Sequence, residues 1–173
     1  AFLAALGGIY ALMAVPLRSY IQPLVIMSVI PFGIVGAVVG HMVVGIALNS
    51  ISMIGIIALS GVVVNDSLIM VDFVNKRVAA GMSVMEAAIE SGGARFRAIM
   101  LTSLTTFFGL IPIVMESSMQ AQIVIPMAVS LAFGIVFATV ITLVLIPCLY
   151  NIIQDWTPQR WSREVPVLAE TTG

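Results

Sequence analysis

Five long apolar runs separated by short polar stretches constrain this chain more than any other feature. They cover residues 1–15, 23–41, 50–74, 98–115 and 123–151. A helix crosses the hydrocarbon core of a bilayer with about 20 mainly apolar residues. None of the runs shows the alternating pattern of a transmembrane strand, and only helices or closed barrels satisfy their backbone groups in lipid. We therefore predict an all-α, polytopic transmembrane helical bundle with about five spans.

The composition excludes most soluble function classes. The chain is 61% hydrophobic and 9% charged, whereas soluble domains are roughly half apolar and a quarter charged. A net charge of −1 without a basic run gives no indication of nucleic-acid binding. A single cysteine, Cys148, cannot form an internal disulfide. The methionines are irregularly spaced and lack nearby polar ligands, so the residues predict neither a metal site nor a cofactor.

The two ends of the chain differ from its middle. The run 1–15 is short for a span, has no charged flank and lacks the basic start of a signal peptide. We interpret it as the end of a truncated helix and the chain as a fragment, with the helical bundle covering residues 1–156. Residues 157–173 are polar and contain Pro158 and Pro166, which predicts a flexible tail.

The positive charges predict the orientation of the bundle. If each run crosses the membrane once, every lysine and arginine falls on one side. These residues are Arg18, Lys76, Arg77, Arg95, Arg97, Arg160 and Arg163. The opposite stretches, 41–49 and 116–122, contain none. Loops rich in Lys and Arg are retained in the cytoplasm, so we expect the basic side and the C-terminus to be cytoplasmic.

The basic stretch 75–97 has a helix signature of its own. Ser83 followed by Glu86 forms a capping-box pattern, and Gly92 with Gly93 predicts an end to the helix. We expect a short amphipathic helix at the membrane surface. An ordinary surface connector is the alternative.

Small residues indicate where helices pack closely. Gly36 and Gly40 form a GxxxG pattern, which is common in such sequences and adds little by itself. In the third run, small and polar residues share one helical stripe. They are Ala58, Gly61, Asn65 and Asp72. Such a stripe is expected to face another helix rather than lipid.

The stretch GVVVNDSLIMVDF places a carboxyl group within the third run. Asp66 falls slightly to the cytoplasmic side of the middle, where a charged carboxylate costs about 3 kcal/mol. Such a residue faces a bundle interior or a wet cavity, and desolvation favours its protonated form. We therefore predict a proton-relay role for Asp66. A hydrogen-bonded Asp that only fixes helix packing is the alternative. Asn65 is expected to bridge helices or orient a partner carboxyl, and Asp72 to pair with Lys76 one turn later.

Hydroxyl side chains mark the fourth run. Thr102, Thr105 and Thr106 share one face, with Ser103 off that face. We predict that Thr102 and Thr106 line the same hydrated interior of the bundle that Asp66 faces. The alternative is that they bond back to carbonyl groups of their own helix.

Three motifs in order resemble the C-terminal membrane half of resistance-nodulation-division (RND) efflux permeases. They are GVVVNDSLIMVDFVNKR, GARFRAIMLTSLTTFFGLIPIVME and GIVFATVITLVLIPCLY. The resemblance extends to about Trp156 and is greatest for the hydrophobe and multidrug branch. The charge-rich heavy-metal branch matches less well. In well-known members the position of Asn65 is a lysine paired with aspartates of another helix, the next position is usually Asn, and Thr102 matches a relay threonine.

The resemblance implies a secondary transporter rather than an enzyme. It implies a homotrimer in the bacterial inner membrane that exports drugs or other hydrophobic compounds by proton antiport. It also implies a periplasmic adaptor protein and an outer-membrane channel as partners. The alternatives are a protein-export accessory of the same superfamily, which also carries an Asn-Asp pair, and a structural membrane module. An aspartyl protease is excluded because Asp66 and Asp72 lie about 9 Å apart along one helix.

Overall fold

The computed structural model describes residues 2–17 and 20–156 and shows an all-helical bundle over that part of the chain. Its helices are α1 (Phe2–Leu17), α2 (Ile21–Met27), α3 (Ile30–Val44), α4 (Ser50–Ala79), α5 (Val84–Val114) and α6 (Met119–Trp156). The described residues contain no strand. The predicted fold class, a polytopic helical bundle, is therefore confirmed. The predicted tail, residues 157–173, lies outside the described residues.

Four segments are long and apolar enough to cross a membrane: Ile21–Val44, Ser50–Ala79, Val84–Val114 and Met119–Ile152. A shorter apolar helix, Phe2–Val15, precedes them. Their lengths and apolar composition fit the roughly 20-residue requirement of a bilayer.

The first of these four segments contains a break between α2 and α3. The Ser28 hydroxyl donates a 2.6 Å hydrogen bond to the carbonyl oxygen of Val25. Pro31 falls in the first turn of α3, where its missing N–H costs no helical hydrogen bond. Proline at this position favours a new helix start, so the span consists of two helices in sequence.

The core of the bundle is formed by α3, α4 and α6, which approach one another at glycines. A Cβ atom at Gly40 would lie 2.5 Å from the Cβ of Phe133, and one at Gly36 would collide with Phe137. The GxxxG pattern of α3 therefore contacts α6 directly. Small residues at such crossings let helix backbones approach closely enough for van der Waals contact.

Helix α5 is longer than the sequence pattern predicts. Its N-cap is Ser83, whose hydroxyl oxygen accepts a hydrogen bond from the Glu86 N–H at 3.3 Å, as predicted. The prediction that Gly92 and Gly93 end this helix is wrong, because α5 continues to Val114. A glycine ends a helix when it adopts positive φ, and neither of these two does. The amphipathic segment and the fourth apolar run are thus one continuous helix.

Helix α6 is also continuous through its prolines. Pro126 and Pro147 both lie inside the helix. Membrane helices tolerate proline because neighbouring helices and local adjustments satisfy the freed carbonyl groups.

The turn between α3 and α4 is closed by a hydrogen-bond network. Gly45 ends α3 in the left-handed conformation with φ 76°. Asn49 caps α4 and forms a capping box with Ser52. His41 lies near the end of α3 and is buried, and its Nε2 is 2.8 Å from the Ser52 hydroxyl oxygen. The histidine joins the ends of the two helices.

Candidate functional site

Asp66 lies on the buried face of α4, deep within a membrane-spanning segment. Only 8% of its surface is exposed. At 1.5 Å per residue it is about 24 Å from the start of the helix at Ser50 and about 20 Å from its end at Ala79. Among the described residues its carboxyl group has no ion-pair partner. A buried carboxyl at this depth is costly unless it is protonated or meets a polar partner.

The contacts between α4 and α6 define the level at which Asp66 lies in the bundle. A Cβ atom at Gly55 would lie 2.6 Å from the Met127 carbonyl oxygen and 2.9 Å from the Ser130 Cβ. One turn further, Leu59 packs against the position of Gly134. The two helices therefore run in the same direction, and an equal number of residues covers an equal length of each. Asp66 is eleven residues beyond Gly55 on α4. It therefore lies at the level of the α6 residues that are about eleven positions beyond Met127 and Ser130.

Two buried threonines occupy this part of α6. Thr139 is 4% exposed and Thr142 is 2% exposed. Thr139 shares a hydrogen bond with the hydroxyl of Ser103 on α5, and Ser103 is also buried. We call Ser103, Thr139 and Thr142 the hydroxyl seam. The sequence does not single out these three residues as site candidates, because the threonine pattern of α5 marks a different face and α6 is typical of an apolar span.

The threonines chosen from the sequence bond to their own helix. The Thr102 hydroxyl donates to the Ala98 carbonyl oxygen at 2.9 Å, and the Thr106 hydroxyl donates to the Thr102 carbonyl oxygen at 2.8 Å. Thr105 donates to Leu101 in the same way. This is the back-bonded geometry that the sequence left open as the alternative.

Unlike Asp66, the other three predicted site residues are not fully buried. Asn65 and Thr102 are exposed, and Thr106 is half-buried. Within residues 2–17 and 20–156, none of the three forms a hydrogen bond with Asp66. Their participation in a relay stays a prediction.

The small and polar stripe of α4 is not covered by any described helix. Ala58, Gly61 and Asn65 are exposed, and a Cβ atom at Gly61 would have no neighbour within 4 Å. We call these three residues the polar stripe. Its expected helix partner is absent from the described part of the chain, because the packed face of α4 is the opposite one, formed by residues such as Gly55 and Leu59.

Charged residues near the end of α4 form ion pairs, one of which reaches α5. Asp72 and Lys76 form the predicted pair, with 2.7 Å between Oδ2 and Nζ. Arg77 forms a second ion pair, at 2.6 Å, with Glu90 of α5. The guanidinium of Arg77 also lies 5.2 Å from the centre of the Phe73 ring. Of these contacts, the Arg77–Glu90 pair joins α4 to α5, whereas the other two lie within α4. Exposed ion pairs of this kind contribute little stability.

A metal centre is not evident in the part of the chain that the structure describes. No group of three or more His, Cys, Asp or Glu side chains there is arranged to hold a metal ion. The site presents the buried carboxyl group of Asp66 at about the level of the buried hydroxyl groups of Thr139 and Thr142.

Comparison with known proteins gives this geometry its context. The family model described as the AcrB/AcrD/AcrF family matches residues 1–154. The chain belongs to this family of RND permeases. The buried carboxyl group on α4 therefore lies in a chain of this permease family.

Individual relatives agree with this assignment. The chain is 30% identical to the swarming motility protein SwrC of Bacillus subtilis (strain 168) over 92% of its length. It is 33% identical to the multidrug resistance protein MdtC of Proteus mirabilis (strain HI4320) over 93% of its length. It spans 15% and 16% of these two relatives, so it matches one part of a much larger protein.

The fold is also similar to solved structures. A heavy metal efflux pump in one crystal form superimposes with a TM-score of 0.77 at 30% identity, covering 87% of this chain and 14% of the pump. A second crystal form of a heavy metal efflux pump gives a TM-score of 0.72 at 31% identity, covering 86% of this chain and 15% of the pump. The helical bundle is therefore that of an RND permease.

Proposed function

We propose that this segment is part of the proton-coupling membrane bundle of a permease that exports drugs or other hydrophobic compounds by proton antiport. The observation that carries the proposal is Asp66, a buried carboxyl group in a membrane span without an ion-pair partner among the described residues. Intramembrane carboxyl groups of this kind mark ion pathways and proton relays. A carboxyl group fixed by a permanent cation would be less able to exchange a proton.

The hydroxyl seam supports this role. Ser103 and Thr139 join α5 to α6 through their hydroxyl groups, and both are buried. Hydroxyl groups donate and accept hydrogen bonds, so they can stabilise either protonation state of a nearby carboxyl. We propose that the seam lies beside Asp66 and that a proton reaches the carboxyl along this side of α4.

The polar stripe supports a larger bundle. Lipid contributes no hydrogen bonds to an exposed Asn65 side chain, whereas a neighbouring helix does. We propose that helices from outside the described residues cover the stripe and bring their own polar groups towards Asn65 and Asp66. The segment would then be the C-terminal part of the permease, as its motifs imply, with Thr102 and Thr106 at the same junction.

The multidrug branch is our proposal for the exported compounds. The sequence motifs favour it, and MdtC is described as a multidrug resistance protein. The pumps with similar structures are described as heavy metal efflux pumps, which makes metal export the second candidate. Susceptibility of expressing cells to a drug panel and to copper, silver, zinc and cobalt salts distinguishes the two. Protection against the metals alone would favour the second.

The cellular setting follows from the same proposal. We place the permease in the bacterial inner membrane as a homotrimer, with its C-terminus in the cytoplasm and with a periplasmic adaptor and an outer-membrane channel as partners. The positions of the basic residues support this orientation. The alternatives of a protein-export accessory or a structural membrane module predict no drug or metal protection at all.

Two substitutions at Asp66 test the proton-coupling role in the complete permease. Asp66→Asn keeps the size and hydrogen bonding of the side chain but cannot titrate, so we expect cells carrying it to be as drug-susceptible as cells without the permease. Asp66→Glu keeps a titratable group and should retain part of the export. Asp72→Asn is the matched control, because Asp72 is half-exposed and already paired with Lys76.

Membrane levels of all variants are matched before susceptibility is compared. Full export by the Asp66→Asn variant would show that the carboxyl group has only a structural role.

A further inference from the structure

A largely apolar groove of about 410 Å³ runs between α5 and α6, away from Asp66. Its walls include Gly92, Gly93, Phe96, Met100, Val140 and Val144. The two glycines leave it open, because a Cβ atom at either would meet nothing within 4 Å. Phe96 and Val144 are exposed despite their apolar side chains. The groove is therefore an unfilled apolar surface within the bundle.

The groove lies across the boundary between headgroups and hydrocarbon. From Arg97 to the end of α5 at Val114 the helix rises about 26 Å, which is close to the roughly 30 Å thickness of the hydrocarbon core. Arg97 therefore lies at headgroup level. Gly93 is one turn further out along α5, and Met100 is about one turn deeper. The occupant of this groove must be polar at one end and apolar at the other.

A positively charged residue, Arg97, directly follows the groove-lining residue Phe96 on α5. Arg97 follows Gly93 by four residues, which places the two on the same side of α5. The Arg97 side chain is exposed, and no described carboxylate pairs with it. By contrast, Lys76 and Arg77 each have an acidic partner. Arg95 also has no described carboxylate partner, but its guanidinium lies 5.1 Å from the centre of the Phe73 ring on α4. Among the lysines and arginines that the structure describes, Arg97 is therefore the one with neither an acidic partner nor an aromatic contact.

We propose that this groove binds an anionic phospholipid, with an acyl chain between α5 and α6 and the phosphate on Arg97. Basic sites between transmembrane helices on the cytoplasmic side bind acidic lipid headgroups. An arginine provides several N–H donors for phosphate oxygens. A helix from elsewhere in the permease is the competing occupant, and it would need its own carboxylate opposite Arg97. A single anionic phospholipid supplies both the apolar chain and the negative charge.

Photo-cross-linking in the complete permease tests the site directly. The probes are phosphatidylglycerol and phosphatidylcholine with the same diazirine-bearing acyl chain, and the readout is the cross-link yield on peptides containing Met100 or Val144. We expect phosphatidylglycerol to react more, by about fivefold, the factor that one surface arginine contributes. Arg97→Gln should remove this preference, and Gly93→Leu should lower the yield of both lipids by filling the groove.

Two control variants distinguish this site from general effects. Lys76→Gln removes one charge from the same side of the bundle. Ala94→Leu introduces the same side chain one residue from Gly93 but off the groove. Both should keep the parental yields, and excess inorganic phosphate should not displace the lipid.

Equal yields of the two lipids in the parent would overturn the proposal. So would an equal loss in Lys76→Gln and Arg97→Gln, equal behaviour of Gly93→Leu and Ala94→Leu, or displacement by inorganic phosphate. Because drug export is not measured, the result is independent of the proton-coupling role of Asp66.

Discussion

Gly55 is the position where the packing of the bundle is most open to a direct test. In Gly55→Ala, the new Cβ atom would lie 2.6 Å from the Met127 carbonyl oxygen and 3.0 Å from the Met127 Cα. Ordinary van der Waals contact begins near 3.4 Å. Since both neighbours are backbone atoms, no side-chain rotation relieves the overlap. Helices α4 and α6 must therefore move apart along a contact that forms part of the core.

The expected cost follows from two opposing effects. Overpacking of a well-packed core costs about 1 to 3 kcal/mol. Replacing glycine by alanine in a helix returns up to about 1 kcal/mol. Gly93→Ala serves as the control, because its Cβ atom would meet no neighbour within 4 Å and only the favourable effect applies. We expect Gly55→Ala to be less stable than Gly93→Ala by about 1 to 3 kcal/mol.

Unfolding of the complete permease by SDS in mixed micelles, followed by circular dichroism, measures this difference. Both variants are compared with the parent at the same detergent concentration. If Gly55→Ala unfolds at the same SDS fraction as Gly93→Ala, the close approach of α4 to Met127 is not a determinant of stability, and the reasoning from backbone contact is refuted.

Three further outcomes are expected. A double-mutant cycle of Ser103→Ala and Thr139→Val in the same unfolding assay should give a coupling of about 0.6 kcal/mol, typical of interhelical hydrogen bonds in membranes; a coupling of zero would contradict the hydrogen bond between α5 and α6. Gly61→Leu should disrupt the complete permease if helices from outside the described residues cover the polar stripe, although Gly61 is unobstructed here; parental stability would show that the stripe faces lipid. With the single cysteine of the chain replaced, a cysteine at Ser117 should react with an impermeant thiol reagent in intact cells whose outer membrane admits it, whereas one at Ser83 should not; the reverse pattern would invert the proposed orientation.

Local features of this chain could be predicted from the sequence. The Ser83 cap and the Asp72–Lys76 pair each depend on residues within one turn of each other, and both are present. The end predicted at Gly92 and Gly93 failed for the same local reason: a glycine pair permits a helix end but does not require one.

The candidate site was predicted only in part. The sequence identified Asp66 because a carboxyl group in an apolar run is costly in any membrane fold. It did not identify Thr139 or Thr142, because hydroxyl groups are common in membrane helices. The hydrogen-bond partner of Thr139, Ser103, lies on another helix. The sequence pattern puts Ser103 off the face that the threonines of α5 share. Its hydroxyl group nevertheless shares a hydrogen bond with Thr139 of α6.

The sequence by itself determined that the chain crosses a membrane as helices, since runs of about 20 apolar residues without backbone partners leave no other structure in lipid. Only the tertiary structure decided which face of each helix is packed. In a soluble protein an apolar stripe marks the buried face of a helix. These helices are apolar on nearly all sides, and because lipid is also apolar, hydrophobicity does not distinguish the packed face from the lipid-facing one. The small residues Gly36 and Gly40 resemble Ala58 and Gly61 in sequence, yet the first pair contacts α6 and the second pair is exposed. Close contact between helices depends on the shapes of both surfaces, and a single helix carries only one of them.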